Sequence, residues 1–462
     1  MNATRFAVLK LSSDLLSNLE ALEYREMTPV QAQTLPHILA GEDVIGQGVT
    51  GSGKTAAFGL GLLERINRKM FRPQALVICP TRELADQVAK EIRKLARTIP
   101  NVKVTVLCGG VPFGPQVGAL AHGTHIVVGT PGRIEEHLTK STLVLRDVSM
   151  LVLDEADRML DMGFQPAIDA IVKHVPDRRQ TLLFSATFAP ETQSIAKRIM
   201  TKPVTVHSAQ GETKPDIEEH FYSVSDKQER RLGLRLLLMH FKPVSALVFC
   251  NTKRETDEVT EELRSYGFSA LALHGDLEQR ERDQTLVQFS NKSVSVLVAT
   301  DVAARGLDID ALDAVINYEI AHDPEIHLHR IGRTGRAGSR GVACSLFSDA
   351  ERHKVALLEG DVDPILDHEP LPSPSVLQAE VMQPAMATLH IDAGKKQKIR
   401  PGDILGALTG DDGVLGADVG KIAIFDNMAF VAVRQEVARV ASRKLGRGKM
   451  KGRSVRARLI RD

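Results

Sequence analysis

The sequence predicts an α/β protein with two tandem parallel-sheet domains followed by a small α+β domain. Three observations predict it. Short Val/Ile/Leu runs alternate with amphipathic helical stretches from about residue 44 to 206, the alternation resumes between residues 245 and 348, and a Pro-rich run then leads into a shorter β-α-β-β-α-β pattern. Continuous apolar strands bounded by helices are buried on both faces, as in a parallel sheet covered by its own crossovers.

In chain order, the first domain is expected to take its strands from "EDVIGQ" (42–47), "ALVICP" (75–80), "VKVTVLCGG" (102–110), "HIVVGTP" (125–131), "MLVLDEA" (150–156) and "QTLLFSAT" (180–187). The second takes "SALVFCNT" (245–252), "SALALHGD" (269–276), "VSVLVATD" (294–301), "AVINYEI" (314–320) and "GVACSLFS" (341–348), with the junction near residues 207–220. "HEPLPSPSVLQ" (368–378) reads as an extended linker because proline fixes the backbone and removes donors. In the last segment "ATLHIDAG" (387–394), "VGKIAIFD" (419–426) and "MAFVAV" (428–433) read as strands, and "RPGDILGALTG" (400–410) and "VRQEVARVASRKL" (433–445) as helices. The expected domains are therefore residues 1–207, 208–369 and 385–462, with a linker over 370–384.

Composition narrows the function. The chain has 462 residues, too many for one ordinary core, and its 43% hydrophobic and 25% charged residues are those of a globular protein. Net charge is +1, so any basic surface is local. The first residues lack the apolar run of a signal peptide, and no apolar stretch is long enough to span a membrane, so a cytoplasmic location is expected. Cys79, Cys108, Cys250 and Cys344 are scattered and form no CxxC pair, which points to buried free thiols.

Chemistry enters with "GQGVTGSGKTAAF", where Gly48, Gly53, Lys54 and Thr55 satisfy G-x-x-x-x-G-K-[ST]. The glycines let backbone N–H groups wrap a phosphate chain, Lys54 adds a point charge, and Thr55 offers a hydroxyl to Mg²⁺. The strand-like "EDVIGQ" before it and the helix after it aim a helix N-terminus at the phosphates. "LVLDEADRML" (151–160) places Asp154, Glu155 and Asp157 together at a strand end. Three like charges repel, and a bound cation would offset that. Asp154 would hold the ion, partly through water, and Glu155 would orient or deprotonate an attacking water. A P-loop and an acidic strand end together point to ATP hydrolysis.

With these motifs on the page, the chain resembles the DEAD-box RNA helicases over about residues 1–350, which implies two RecA-like domains that use ATP and Mg²⁺. "MTPVQ" is similar to the family's adenine-reading motif, implying that Gln31 pairs with the base beside Phe6 and Tyr24. Thr50, Gly51 and Ser52 would complete the phosphate loop, and Asp308 the nucleotide site. "PTRELA", "GG" and "TPGR" resemble RNA-backbone motifs, which implicates Pro80, Thr81, Arg82, Gly110, Thr130, Gly132 and Arg133. Asn251 and, within "HGDLEQRER" and "ATDVAARGLDID", Gly275, Gln279, Arg282 and Thr300 are implied in the same role. "SAT" resembles the element coupling hydrolysis to strand separation, implicating Ser185 and Thr187 with Asp157. "HRIGRTGR" spaces Arg330, Arg333 and Arg336 three apart, on or near one helical face, and the resemblance makes Arg333 and Arg336 arginine fingers toward the first domain's site.

The last segment resembles an RNA-recognition motif with a thin aromatic platform. His390 takes one strand position, and Met428 and Val433 stand where aromatics are usual, leaving Phe430 as either a stacking or a core residue. Nine Lys and Arg residues against one acid over 443–462 offer a phosphate-binding flank. A helicase core followed by this kind of domain resembles the bacterial DbpA/YxiN subgroup. That implies local unwinding of 23S ribosomal RNA in pre-50S particles by a monomer, with no DNA or membrane partner. The alternatives are an ATP-gated RNA clamp that does not unwind and a processive DNA translocase, and the adenine motif argues against the latter.

Overall fold

The computed structural model describes residues 5–48, 52–207, 216–304, 312–335, 340–359, 369–410, 413–447 and 449–460. The chain divides between residues 207 and 216 into two compact units. No helix among the described residues is long and apolar enough to cross a membrane.

The first unit is built on a seven-stranded, wholly parallel sheet. Its strands are β1 (Val44–Gln47), β2 (Ala75–Ile78), β3 (Val104–Leu107), β4 (Ile126–Gly129), β5 (Met150–Leu153), β6 (Gln180–Ser185) and β7 (Val204–His207), in the order β3-β4-β2-β5-β6-β1-β7. Interior strands β2, β4, β5 and β6 are buried at every position, as their unbroken apolar runs predict. Helices cover both faces and bury two clusters, one around Phe58, Val77, Val88 and Phe184, the other around Ile45, Leu76, Leu151 and Ile168.

The second unit opens on a six-stranded parallel sheet of β8 (Ile217–Ser223), β9 (Ala246–Cys250), β10 (Ala270–Leu273), β11 (Val296–Thr300), β12 (Ala314–Asn317) and β13 (Gly341–Phe347), in the order β10-β11-β9-β12-β13-β8. These are two RecA-like sheets, each doubly covered. The same unit ends in an antiparallel sheet of β14 (Met386–Ile391), β15 (Val419–Ile424) and β16 (Ala429–Arg434). A hairpin of β17 (Lys449–Met450) and β18 (Arg453–Ser454) then leads to β19 (Ala457–Leu459), giving the sheet order β15-β16-β14-β19. Helices Pro401–Thr409 and Ala438–Arg447 follow β14 and β16.

Three expectations are corrected here. Edge strands β7 and β8 flank the junction, where the sequence suggested only a connection. The basic tail contains β19, because Ala457 and Leu459 alternate with Arg456 and Arg458 and leave the arginines off the core. The Pro-rich segment is no free tether. Leu371 packs against the core of the second parallel sheet, the Glu369 carboxylate accepts from the Tyr222 hydroxyl at 3.2 Å, and Pro374–Gln378 forms a short 3₁₀ helix. The four cysteines are free and buried, and burial pushes every thiol pKa up, Cys108 to about 12.

Candidate functional site

Because the first sheet is parallel, the carboxyl ends of all its strands lie along one edge, where ligands of open α/β sheets bind. The phosphate loop follows β1, and Asp154 ends β5. "PTRELA" follows β2, "GG" follows β3, "TPGR" follows β4 and "SAT" ends β6. One cavity of about 780 Å³ on this edge is lined by Phe6, Tyr24, Thr28, Gln31, Lys54, Thr55, Asp154 and Glu155, among others. It therefore unites the proposed adenine-reading and phosphate-handling residues.

Gly53 caps the helix Lys54–Arg65 at φ +94°, a left-handed conformation that glycine adopts freely, and a Cβ there would run into the Gln31 amide. Thr28 and Gln31 form a capping box on the helix Pro29–Ala40. The same two side chains reach the phosphate loop: the Thr28 hydroxyl donates to the Ser52 carbonyl at 2.7 Å and the Gln31 amide to the Gly53 carbonyl at 3.0 Å. The helix expected to read the base is thus tied to the expected phosphate loop. Lys54 is buried and donates to the Gly48 carbonyl.

Asp154 is buried, and burial pushes its carboxyl up to about 7 against the opposing charge of Lys54. Its Oδ1 is buried without a hydrogen-bond partner. An orphaned carboxylate oxygen lining the same cavity as the Thr55 hydroxyl suits a hard cation, which such sites hold through one or two carboxylates and substrate phosphates. Among the described residues no group of three or more His, Cys, Asp or Glu forms a metal cage of its own. Asp154 and Thr55 therefore fit Mg²⁺.

Glu155 sits at φ +52° as the residue before the helix Ala156–Asp161. The buried Arg158 guanidinium donates to its Oε2 at 2.7 Å, which fixes the carboxylate's direction. Asp157 points the other way. Its Oδ2 accepts from the Ala186 N–H at 3.0 Å, the Thr187 N–H at 2.9 Å and the Thr187 hydroxyl at 3.2 Å. The Gly48 N–H donates to the Ser185 carbonyl at 3.0 Å. The acidic cluster, the phosphate loop and the "SAT" turn are thereby one hydrogen-bonded assembly.

The proposed RNA residues of this unit form a second row on the same edge. Thr81 caps the helix Arg82–Leu95, and Pro80 precedes it. Gly110, at φ +71°, leaves no room for a Cβ beneath the Arg82 guanidinium. Thr130 precedes the helix Pro131–Thr139, Gly132 faces open space, and the Arg133 guanidinium donates to the Val111 carbonyl at 3.1 Å.

In the second unit Asn251, Gly275 and Thr300 stand at the carboxyl ends of β9, β10 and β11. Gln279 opens the helix Gln279–Ser290, and Arg282 donates to the Ala303 carbonyl at 2.7 Å. Arg330 departs from the expected basic stripe. It is 1% exposed and binds Asp301 at 2.6 and 2.7 Å, Asn251 at 2.9 Å and the Glu319 carbonyl at 2.7 Å, tying together the ends of three strands. The helix Pro324–Ile331 ends before Arg333, which is buried in the following turn, so Arg330 and Arg333 do not share a helical face. Arg336, Thr50, Gly51 and Asp308 lie outside the described residues. Sequence reading missed the roles of Thr28, Arg158 and Arg330. Only Thr28 left a signal, the T-x-x-Q capping pattern.

Comparison with known proteins agrees with this arrangement. Residues 28–195 match the DEAD/DEAH box helicase family model, 229–338 the helicase conserved C-terminal domain and 388–459 the DbpA RNA binding domain. The chain is 52% identical to the ATP-dependent RNA helicase DbpA of Escherichia coli K12 over 459 residues, 99% of this chain and 100% of that protein. It is 45% identical over 357 residues to the DEAD-box ATP-dependent RNA helicase CshA of Bacillus cereus, covering 77% of this chain and 68% of that one. Among solved structures, S. cerevisiae Dbp5 bound to RNA and ADP BeF3 superposes with a TM-score of 0.71 at 28% identity, covering 81% of this chain and 98% of that one.

Proposed function

Because this chain belongs to the DEAD-box family of ATP-dependent RNA helicases, we propose that its RNA-dependent ATP hydrolysis drives local duplex separation in 23S ribosomal RNA during assembly of the large ribosomal subunit. The observation that carries the ATPase half is the single cavity holding Gln31 and Tyr24 with Lys54, Thr55, Asp154 and Glu155. The ribosomal half is supported by the match of residues 388–459 to the DbpA RNA binding domain and by the subgroup resemblance.

In this reading Gln31 would release the Gly53 carbonyl to meet the adenine edge, with Phe6 and Tyr24 lining its pocket. Thr55 and Asp154 would hold Mg²⁺, whose charge offsets that of the phosphates. Lys54 would contact the phosphate chain, and Glu155, aimed by Arg158, would position the attacking water. Asp157 would carry the result to Ser185 and Thr187. Arg333 and Arg336 would complete the site when the two helicase domains close, and RNA held across both would favour closure. The backbone-directed residues, from Pro80 to Arg133 and from Asn251 to Thr300, would grip phosphate and sugar without reading sequence. The protein would act as a cytoplasmic monomer without DNA or membrane partners.

The test is turnover and unwinding on short and long RNA and DNA duplexes. Short RNA duplexes should separate and long ones resist. Lys54→Ala should lose nucleotide binding, whereas Glu155→Gln should keep binding and lose hydrolysis by about 10²–10⁴. RNA-stimulated hydrolysis without any unwinding would replace this reading with the clamp.

A further inference from the structure

Two loops of the first domain are proposed to grip the RNA backbone, "GG" after β3 and "TPGR" after β4. One histidine joins them beneath the surface. His137 lies on the helix Pro131–Thr139 that the second loop opens, and it is fully buried. A buried polar ring costs free energy unless its nitrogens find partners. Both do. Nε2 stands 3.0 Å from the Gln116 side-chain oxygen, and Nδ1 2.7 Å from the Thr142 hydroxyl.

The hydrogen bonds run in one direction. The Gln116 amide nitrogen donates to the Cys108 carbonyl at 2.9 Å, immediately before Gly109 and Gly110. The Gln116 oxygen is therefore left to accept from His137 Nε2–H, and Nδ1 is left to accept from the Thr142 hydroxyl. Burial, with the Arg133 charge nearby, holds the imidazole pKa below its ordinary value and so favours this neutral form.

The same helix also reaches the far end of the first loop. One turn before His137, the Arg133 guanidinium donates to the Val111 carbonyl at 3.1 Å. Phe113 lies between these contacts. It stacks on the His137 ring, with centroids 4.2 Å apart and planes 19° from parallel, while Arg133 and Lys140 sit over its ring at 5.6 and 4.3 Å. Residues 108–111 are thus held at both ends by one helix, through Gln116 at the first and by Arg133 directly at the last.

We propose that His137 is a positioning residue for the RNA-backbone grip: through Gln116 it fixes the "GG" loop in register with the "TPGR" loop. Being buried, it acts through those loops and contacts no ligand itself. The inference rests on the proposed role of the two loops in holding RNA, and deepens it.

The test uses the full chain and a 23S ribosomal RNA transcript. His137→Phe keeps a ring to stack on Phe113 and removes both nitrogens, and Gln116→Leu breaks the next link. Each should raise the RNA concentration for half-maximal ATPase about three- to tenfold, with kcat at saturating RNA and the KM for ATP unchanged. The double variant should do no worse than the more affected single one, because both cut the same chain of hydrogen bonds. His137→Gln, which returns a donor toward Gln116, should recover most of the affinity. If His137→Phe does not fold, Gln116→Leu carries the same reading. A lowered melting temperature with an unshifted RNA concentration would reduce His137 to a structural role and overturn the proposal, as would equal losses in kcat and in RNA affinity. A wild-type chain whose ATPase ignores RNA would overturn the functional reading and this inference with it. A wild-type chain that responds to RNA, beside variants that respond identically, would overturn this inference alone.

Discussion

Asp154 holds its proton far above the ordinary carboxylate value of 3.8, to about 7, because burial outweighs the attraction of Lys54. A native acid with a raised pKa gives stability that is full below its unfolded pKa and lost as pH climbs through its folded one. Nucleotide-free protein in chelator should therefore lose stability between about pH 4 and 7, with Asp154 contributing on the order of 2–4 kcal/mol. Asp154→Asn should flatten that slope and be the more stable form at about pH 8. Urea midpoints against pH decide it, and parallel curves for the two proteins would refute the assignment. Arg330 makes the opposite case, a buried charge fully compensated by Asp301, Asn251 and carbonyls. Arg330→Met strands Asp301 and should cost about 3–5 kcal/mol, measured as the denaturant midpoint of the second unit. Its sequence context, three arginines at equal spacing, gave no hint of this. Burial and partners are set by the strands around it.

The interior strands were legible in the sequence because unbroken apolar runs such as "MLVL" can only be buried. Strand β8, "IEEHFYS", was not, because an edge strand faces solvent along much of its length and keeps Glu218 and Glu219. Strand β19 hid for a related reason: a three-residue strand between arginines looks like a charge run. It pairs with β14, Leu459 opposite Leu389, so the segment is part of the domain and not only its phosphate contact. Leu459→Asp should lower the unfolding temperature of the C-terminal domain in calorimetry as well as RNA affinity. An unchanged transition with weakened binding would return the tail to a purely electrostatic role. The candidate site was legible in another sense. Its motifs sit one per strand end, so their order along the chain already encoded an edge, while their mutual hydrogen bonds, such as Asp157 to Thr187, could not be read before the sheet order was known.

At the scale of the whole molecule, the proposed function places catalysis and target choice in different parts of the chain. Truncation after Pro372 keeps Leu371 in the second core, and should leave an ATPase stimulated by generic RNA with no preference for ribosomal RNA. If the truncated protein still prefers the ribosomal transcript to the same degree, selectivity lies in the helicase domains. What the sequence could not convey at this scale is that its Pro-rich segment packs against the second core and that His390 and Phe430 of its thin aromatic platform are buried. Prolines read as spacing, and a lone Phe430 read as a choice between stacking and core. The four buried thiols carry a last consequence. Three follow or end a strand of a parallel sheet and Cys344 lies within β13, each with its thiolate form suppressed by burial. Peroxide and disulfide exchange act on accessible thiolates. The thiols of the folded protein should therefore resist peroxide and disulfide exchange, and thiol-directed labelling should become fast only on unfolding.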